Sequence, residues 1–317
     1  METIRVNPEF GVELALAVPY AYWLHTQGQL QTVITSKGMK PFYFFCSDVR
    51  EEFNARTIDN AEAGMFSLPN PWIHHNAKAL TGVDYSELSE DRKKEVNGVL
   101  DYNKWVCPSY RDHFKNSEFV FDKPVVFVTN KYNMEHGEPP LGFFNIQCLY
   151  ELFTYLNEHG YTVIYKRAKN TEPEFAIDQN ETNSLSSGFH DITAEVEDIG
   201  KINDFQLTKF FPDVLLYDEI VAKSSHSYNE TQLMIMANCS YFISVCGGNS
   251  ILSSLFGGTV ISYIHKGKEL RPNYFGPNSY FRKLSGANII PTYDLQVTKT
   301  GVNDYTDFMA KVKENFR

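Results

Sequence analysis

Ser244-Val-Cys-Gly-Gly-Asn-Ser250 is the segment of this chain whose residue types and spacing come nearest to a chemical device. An apolar run, Tyr241 to Val245, ends in Cys246 and the paired Gly247 and Gly248, and Asn249 and Ser250 then open a short helix, Ser250 to Phe256. A strand that passes through a glycine turn into a helix collects backbone N–H groups at the positive end of the helix dipole, which suits a phosphate or pyrophosphate. The same glycines also serve a tight turn needed for backbone geometry alone, and both readings fit the sequence. The segment is neither G-x-x-x-x-G-K-[ST] nor G-x-G-x-x-G, which argues against a nucleotide kinase and an ordinary dehydrogenase.

Other chemistry-bearing residues fall at the ends of expected strands. Thr129-Asn130-Lys131-Tyr132 follows the apolar strand Pro124 to Thr129, and Lys166 and Arg167 end the strand that starts at Tyr161. Three cations at strand ends make a local anion site or ordinary solvated charge. Ser227-Tyr228-Asn-Glu230 has the form of a capping box, with Glu230 in the first turn of a helix, where a second role is a hydrogen bond to donor sugar hydroxyls. Asp218 and Glu219 form a further carboxylate pair at a strand end. Near the N-terminus, Glu9 and Glu13 flank a turn into an apolar helix. Glu13 is the expected general base for deprotonating an acceptor hydroxyl, with Asp84, His74 and His75 behind it. The chain contains no H-E-x-x-H, no clustered Cys/His and no D-x-D, so no metal or other cofactor is expected.

The elements that must hold these residues alternate. Ile4 to Val6 reads as a strand and Val12 to Leu24 as a buried helix, with Pro19 either kinking it or making its first turns irregular. Leu30 to Thr35 and Pro41 to Cys46 read as strands, and Asp48 to about Asp84 as a long loop region. Ser86 to Lys104 is helix-compatible. The second half is cleaner: the strand Pro124 to Thr129, a helix Asn145 to His159 with apolar residues at helical spacing, a stop at Gly160, and the strand Tyr161 to Tyr165. Glu172 to Ile202 is polar and reads as a surface insertion. Asp213 to Tyr217, Tyr241 to Val245 and Thr259 to Ile264 are further strands, with the helix Thr231 to Ala237 between the first two. The alternation implies a doubly wound parallel sheet. Asp304 to Phe316 reads as a terminal helix.

Composition narrows the partners. A chain of 317 residues accommodates two domains, and 43% hydrophobic with 21% charged residues is globular. The 19 Tyr and 24 Phe fit aromatic cores or carbohydrate-facing surfaces. A formal charge of −10 disfavours nucleic acid. The apolar runs fall short of the ~20 residues of a transmembrane helix. No secretion signal opens the chain, and the five scattered cysteines point to neither a disulfide framework nor a zinc site, so a cytoplasmic setting is expected.

The order of these elements resembles the GT-B glycosyltransferase superfamily, and in detail its heptosyltransferase-like branch. Val125 to Tyr165 is similar to the strand, basic loop, Gly-stopped helix and strand that open the second domain of those enzymes, and Glu230 to Ile264 to the helix, strand, small-residue turn, helix and strand that follow. Phe10-Gly-Val-Glu-Leu14 is similar to their first turn, which carries an acidic base. The resemblance implies an α/β fold of two Rossmann-type domains facing a cleft: an acceptor-side domain over 1–120, a nucleotide-sugar domain over 121–302, and a terminal helix over 303–317 returning to the first domain. It also implies Glu13 as base, Lys131 as a diphosphate contact and Gly247, Gly248, Asn249 and Ser250 as donor-binding, alongside Asn130, Tyr132, Lys166, Arg167, Tyr228 and Glu230. Cys246 departs from the pattern, which has an acidic residue in that turn. The expected function is inverting, metal-independent transfer of a sugar from a nucleoside-diphosphate donor to a glycan or lipid-linked acceptor. A sugar-nucleotide epimerase or hydrolase of the same architecture, or a non-catalytic carbohydrate-binding protein, are the alternatives.

Overall fold

Pro19 shows how a single residue shapes the start of the chain, because its ring clashes with the carbonyl four residues back in a regular helix. The computed structural model describes residues 1–54, 56, 87, 89–90, 102–132, 142–167, 193–265, 270, 274–276 and 279–317. In it, Phe10–Val12, a π-helical stretch Glu13–Ala17, and Val18–Thr26 follow one another without a break as a single helix, α1. Through the wide turn the Val18 N–H reaches back five residues to the Glu13 carbonyl. The irregular turn lies immediately before the proline. Proline has no N–H to offer the Ala15 carbonyl, and that oxygen instead accepts the Tyr280 hydroxyl at 2.6 Å.

The chain divides into two compact units, the first comprising Met1–Pro108, Phe175–Gln179 and Pro272–Ser285. Its strands β1 (Glu2–Arg5), β2 (Leu30–Ser36) and β3 (Val49–Phe53) form a parallel sheet in that order. Two sequence expectations give way here. Pro41 to Cys46 is not a strand: Lys40–Tyr43 is a 3₁₀ turn, in which proline's fixed φ suits the first position while Phe42 and Tyr43 are buried. Residues after Asp48 are not loop from the outset, since β3 adds to the sheet as a charged strand and Arg5 pairs with Glu52 at 2.7 Å. An exposed edge needs no apolar pattern. Most of the expected helix from Ser86 lies outside the described residues, as do Asp84, His74 and His75.

The second unit comprises Ser109–Glu174, Asn180–Arg271 and Gly286–Arg317. Its strands are β4 (Val125–Asn130), β5 (Thr162–Arg167), β6 (Thr193–Val196), β7 (Gly200–Asn203), β8 (Val214–Leu216), β9 (Tyr241–Val245), β10 (Thr259–Ile264) and β11 (Asn288–Tyr293). Six of them form a wholly parallel sheet in the order β11-β10-β9-β4-β5-β8. Numbered along the chain, these six strands run 6-5-4-1-2-3, the doubly wound Rossmann order read from its other edge. The reversal falls between β4 and β9. β6 and β7 pair separately as an antiparallel hairpin within the expected surface insertion.

Both faces of the sheet are covered, which is why every residue of β4 and β5 is buried and their central residues are apolar in succession rather than in alternation. On one face Val128, Tyr165, Ile243 and Tyr263 pack with α2 (Ile146–Glu158) and with the terminal helix Thr306–Asn315. On the other, Phe127 meets Tyr217 and Phe242 meets Phe256. α2 begins at Asn145, whose side chain accepts the Cys148 N–H at 2.8 Å, and Gly160 follows it at φ +77°. The middle helix α3 (Tyr228–Ala237) is buried on nearly every side. Between β9 and β10 lies α4, Gly248–Ser254.

The units differ from the boundaries expected at 120/121 and 302/303. Tyr110 stacks on Phe256 with ring centroids 5.5 Å apart, and Arg111 donates to the carbonyls of Phe256 at 2.8 Å and Ala237 at 3.1 Å, so Tyr110–Phe114 belongs to the second unit. Tyr280–Ser285 belongs to the first, through the bond to Ala15. The terminal helix, α5 (Thr306–Asn315), packs on the second unit by burying Phe308, Met309 and Val312, where the sequence expectation returned it to the first domain. No described helix is long and apolar enough to cross a membrane.

Candidate functional site

In doubly wound sheets ligands bind beyond the carboxyl ends of the strands, where the strand order reverses. Here that point is the junction of β4 and β9. Thr129 and Ser244 are paired across it, and the Thr129 hydroxyl donates to that of Ser244 at 2.7 Å, tying the two strand ends together. β4 then leads to Lys131 and β9 to Cys246 and Gly247.

Gly247 has φ +134°, which side-chain-bearing residues rarely adopt, so the turn requires glycine here. Gly248 is different, because it opens α4 and needs no such freedom. The turn is held by Ser250, whose hydroxyl donates to the Gly247 carbonyl at 2.8 Å, and by the Cys246 N–H, which donates to the Tyr263 carbonyl at 2.9 Å. At the start of α4 the N–H groups of Gly248 and Asn249 have no acceptor within the helix. The Asn249 carboxamide is part-exposed and has no hydrogen-bond partner among the described residues. A Cβ on Gly247 would lie 3.6 Å from the Lys131 Nζ. One ammonium and the open turn therefore converge at the switch point.

The remaining expected contacts are built into the unit itself. Asn130 is buried; its Nδ2 donates to the Phe144 carbonyl at 2.9 Å and the Tyr165 hydroxyl at 3.0 Å, and its Oδ1 accepts the N–H groups of Lys131 and Phe144, both at 2.9 Å. Tyr132 is also buried and donates to the Phe144 carbonyl at 3.3 Å. Burial, reinforced by the charge of Asp204, holds its phenol well above the usual range, so it stays a donor. Arg167 lies over the Tyr132 ring and makes a two-pronged pair with Asp204, at 2.5 and 3.0 Å. Burial works against its charge, but hydrogen bonding and attraction to Asp204 outweigh it, so the guanidinium pKa is raised. The Arg167 charge is thus compensated within the second unit.

Lys166 is buried as well. Its ammonium donates to Gln232 and stands 5.4 and 4.9 Å from the ring centres of Tyr217 and Tyr228. The Tyr228 carbonyl accepts the Tyr217 hydroxyl. Glu230 forms half of the expected capping box: its N–H donates to the Ser227 hydroxyl at 3.2 Å, while its carboxylate turns to His226, 3.6 Å away. His226 also faces Glu118 at 3.1 Å, and this second acid draws the imidazole into a bridge between the two chains of residues. Glu230 nonetheless remains substantially exposed.

Glu13 is corrected. Its side chain has no exposure, its Oε2 meets Arg56 at 2.6 Å, and its Oε1 accepts from Tyr43 at 3.0 Å and from Thr35. Arg56 in turn donates to the Pro8 carbonyl at 2.7 Å. The carboxylate is enclosed by these partners. Glu9, which precedes the first turn of α1, is the part-exposed carboxylate of the same segment.

Sequence reasoning missed Gln232, Asp204 and His265. Asp204 carries no motif, and only the fold brings it to Arg167. His265 directly follows β10 at the carboxyl edge and is buried, with the backbone of Gly142 against its ring.

No protein-family model matches the sequence, and no curated protein matches it. Solved structures do. E. coli heptosyltransferase WaaC, solved with ADP-2-deoxy-2-fluoro heptose, corresponds over 99% of this chain and 100% of its own, with a TM-score of 0.50 and 12% identity. E. coli ADP-heptose lps heptosyltransferase II corresponds over 95% of each chain, with a TM-score of 0.47 and 10% identity. The glycosyl transferase family 9 structure from Veillonella parvula covers 99% of this chain and 89% of its own, with a TM-score of 0.47 and 10% identity. The fold is α/β with parallel sheets, and over its full length it is similar to that of the heptosyltransferase WaaC.

Proposed function

We propose that the protein is a glycosyltransferase that binds a nucleoside-diphosphate sugar at the β4–β9 switch point and transfers the sugar, with inversion, to a hydroxyl of a glycan or lipid-linked acceptor. The observation that carries this reading is the convergence of the Lys131 ammonium with the Gly247 turn at the carboxyl edge of a Rossmann-ordered sheet. A departing diphosphate needs fixed positive charge and N–H donors where its negative charge develops. Lys131 offers the charge, and the first N–H groups of α4 with the Asn249 carboxamide offer the donors. Glu230, exposed at the start of α3, takes sugar or ribose hydroxyls. The absence of a D-x-D motif favours catalysis that persists in a metal chelator.

Lys166, Arg167, Asn130 and Tyr132 serve this site from behind, by fixing the strand ends that present Lys131. Glu13 is not offered as the base. Where the base belongs to the first turn, it is Glu9.

The relative WaaC was solved with an ADP-sugar analogue, which makes ADP a natural first probe beside UDP and GDP. Titration calorimetry with the three diphosphates and their sugars should find one that binds, with Lys131→Ala weakening it at least tenfold. A ligand that binds only the native state also raises the melting temperature. Absence of binding by all of them would sink the transferase reading in favour of a carbohydrate-binding protein without turnover.

A further inference from the structure

Gly142 and His265 form a contact that nothing in the sequence announces. A Cβ on Gly142 would come within 3.1 Å of the imidazole Nε2 and closer still to Cε1 and Nδ1. Real Cβ atoms essentially never approach so near, so any side chain at position 142 must displace the ring or the backbone. The ring has little room to yield, because His265 is 6% exposed.

From this contact a short chain of bonds leads to the candidate donor site. Two residues beyond Gly142, the Phe144 backbone is gripped on both sides by the Asn130 carboxamide, which donates to the Phe144 carbonyl and accepts the Phe144 N–H. The same Asn130 oxygen accepts the Lys131 N–H. One side chain therefore bonds the backbone at both Lys131 and Phe144. Phe144 is further fixed by the Tyr132 hydroxyl, and its ring packs 4.7 Å from that of Phe308. The Tyr305 hydroxyl holds the Phe143 carbonyl at 2.7 Å. The backbone is thus pinned at Phe143 and Phe144, and a push at Gly142 has its way out through Phe144 and Asn130 toward Lys131.

We infer that His265 is a positioning residue for the donor diphosphate: its ring is the stop against which Gly142 rests, and through Phe144 and Asn130 it sets where Lys131 stands beside Gly247. This rests on the proposed donor site and names a determinant of it. Coupling through packed side chains and shared hydrogen bonds is the physical route by which such a contact acts on a residue it does not touch.

A double-mutant cycle tests it, with ADP, UDP and GDP as probes in titration calorimetry. Gly142→Ala should weaken binding of the diphosphate that the wild-type protein takes by tenfold or more. Because the effect runs through Lys131, it should shrink to less than threefold in a Lys131→Ala background, a non-additivity that general loosening of the fold would not produce. His265→Ala should restore Gly142→Ala to within threefold of His265→Ala alone, since the small side chain leaves room for the new methyl. In turnover assays the loss should fall on the donor KM rather than on kcat. Wild-type affinity in Gly142→Ala, additive losses with Lys131→Ala, or failure of the His265→Ala rescue would each overturn the inference. If Gly142→Ala does not fold, His265→Asn supplies the measurement: it should weaken the same diphosphate severalfold, and unchanged affinity would overturn the inference. Wild-type protein that binds none of the three diphosphates overturns the donor site itself, and the inference with it, which separates that failure from the others.

Discussion

Glu13 and Arg56 show what burial demands of a charged side chain. A carboxylate with no exposure is tolerated only with its charge paired and its oxygens bonded, and Arg56, Thr35 and Tyr43 do both. Replacing Glu13 by Gln leaves Arg56 as a buried charge without its counter-ion. Removing one partner of such a pair costs about 3–5 kcal/mol. Glu13→Gln is therefore expected to lower the unfolding free energy of the first unit, read from urea titration, by that amount, while its residual folded fraction retains catalytic competence. A stable Glu13→Gln protein that has lost turnover would return Glu13 to the role of base. The same reasoning applies to Arg167 and Asp204, whose pair is closed within the second unit.

At the scale of elements, α1 and the segment Tyr280–Ser285 depend on one another. Pro19 leaves the Ala15 carbonyl without its regular helical donor, and the buried Tyr280 supplies one from far along the chain. Burial raises the pKa of this phenol well above its usual value, so it keeps its proton. Tyr280→Phe retains the ring and removes only the hydroxyl, leaving a buried acceptor unsatisfied at a cost of about 1–3 kcal/mol. Chemical denaturation should show that loss. A Tyr280→Phe protein as stable as the wild type would mean that Ala15 finds another donor. The π-helical turn lies immediately before the same proline.

For the whole molecule, the placement of α5 decides what the C-terminus does. Phe308, Met309, Val312 and the following Phe316 are buried against the second unit's sheet and α2, and Tyr155 bonds the Phe316 carbonyl at 2.7 Å. Each such apolar side chain contributes about 1.5–3 kcal/mol by burial. Four of them approach the ~5–15 kcal/mol that holds an ordinary domain together. Truncation after Asn303 should therefore abolish the cooperative melting of the second unit and its nucleotide binding together. A truncated protein that still melts cooperatively would show that α5 is dispensable to the sheet.

The sequence by itself determined the parallel sheet of the second unit, because β4, β5, β9 and β10 are buried on both faces and so carry adjacent apolar residues rather than an alternating pattern. It also located the glycine turn and Lys131, because strand ends and backbone exceptions leave local marks in residue type. The charged edge strand β3 left no such mark, and neither did the 3₁₀ turn at Pro41, where buried aromatics imitate a strand. Only the tertiary structure decided which polar residues face one another. Glu13, Arg167 and Asn130 have the residue types of a site, yet their partners Arg56, Asp204 and Phe144 come from elsewhere in the chain. Nothing local to either member of such a pair records the other. The Gly247 turn with Lys131 lies at the other extreme, since each reaches the switch point by simply following its own strand.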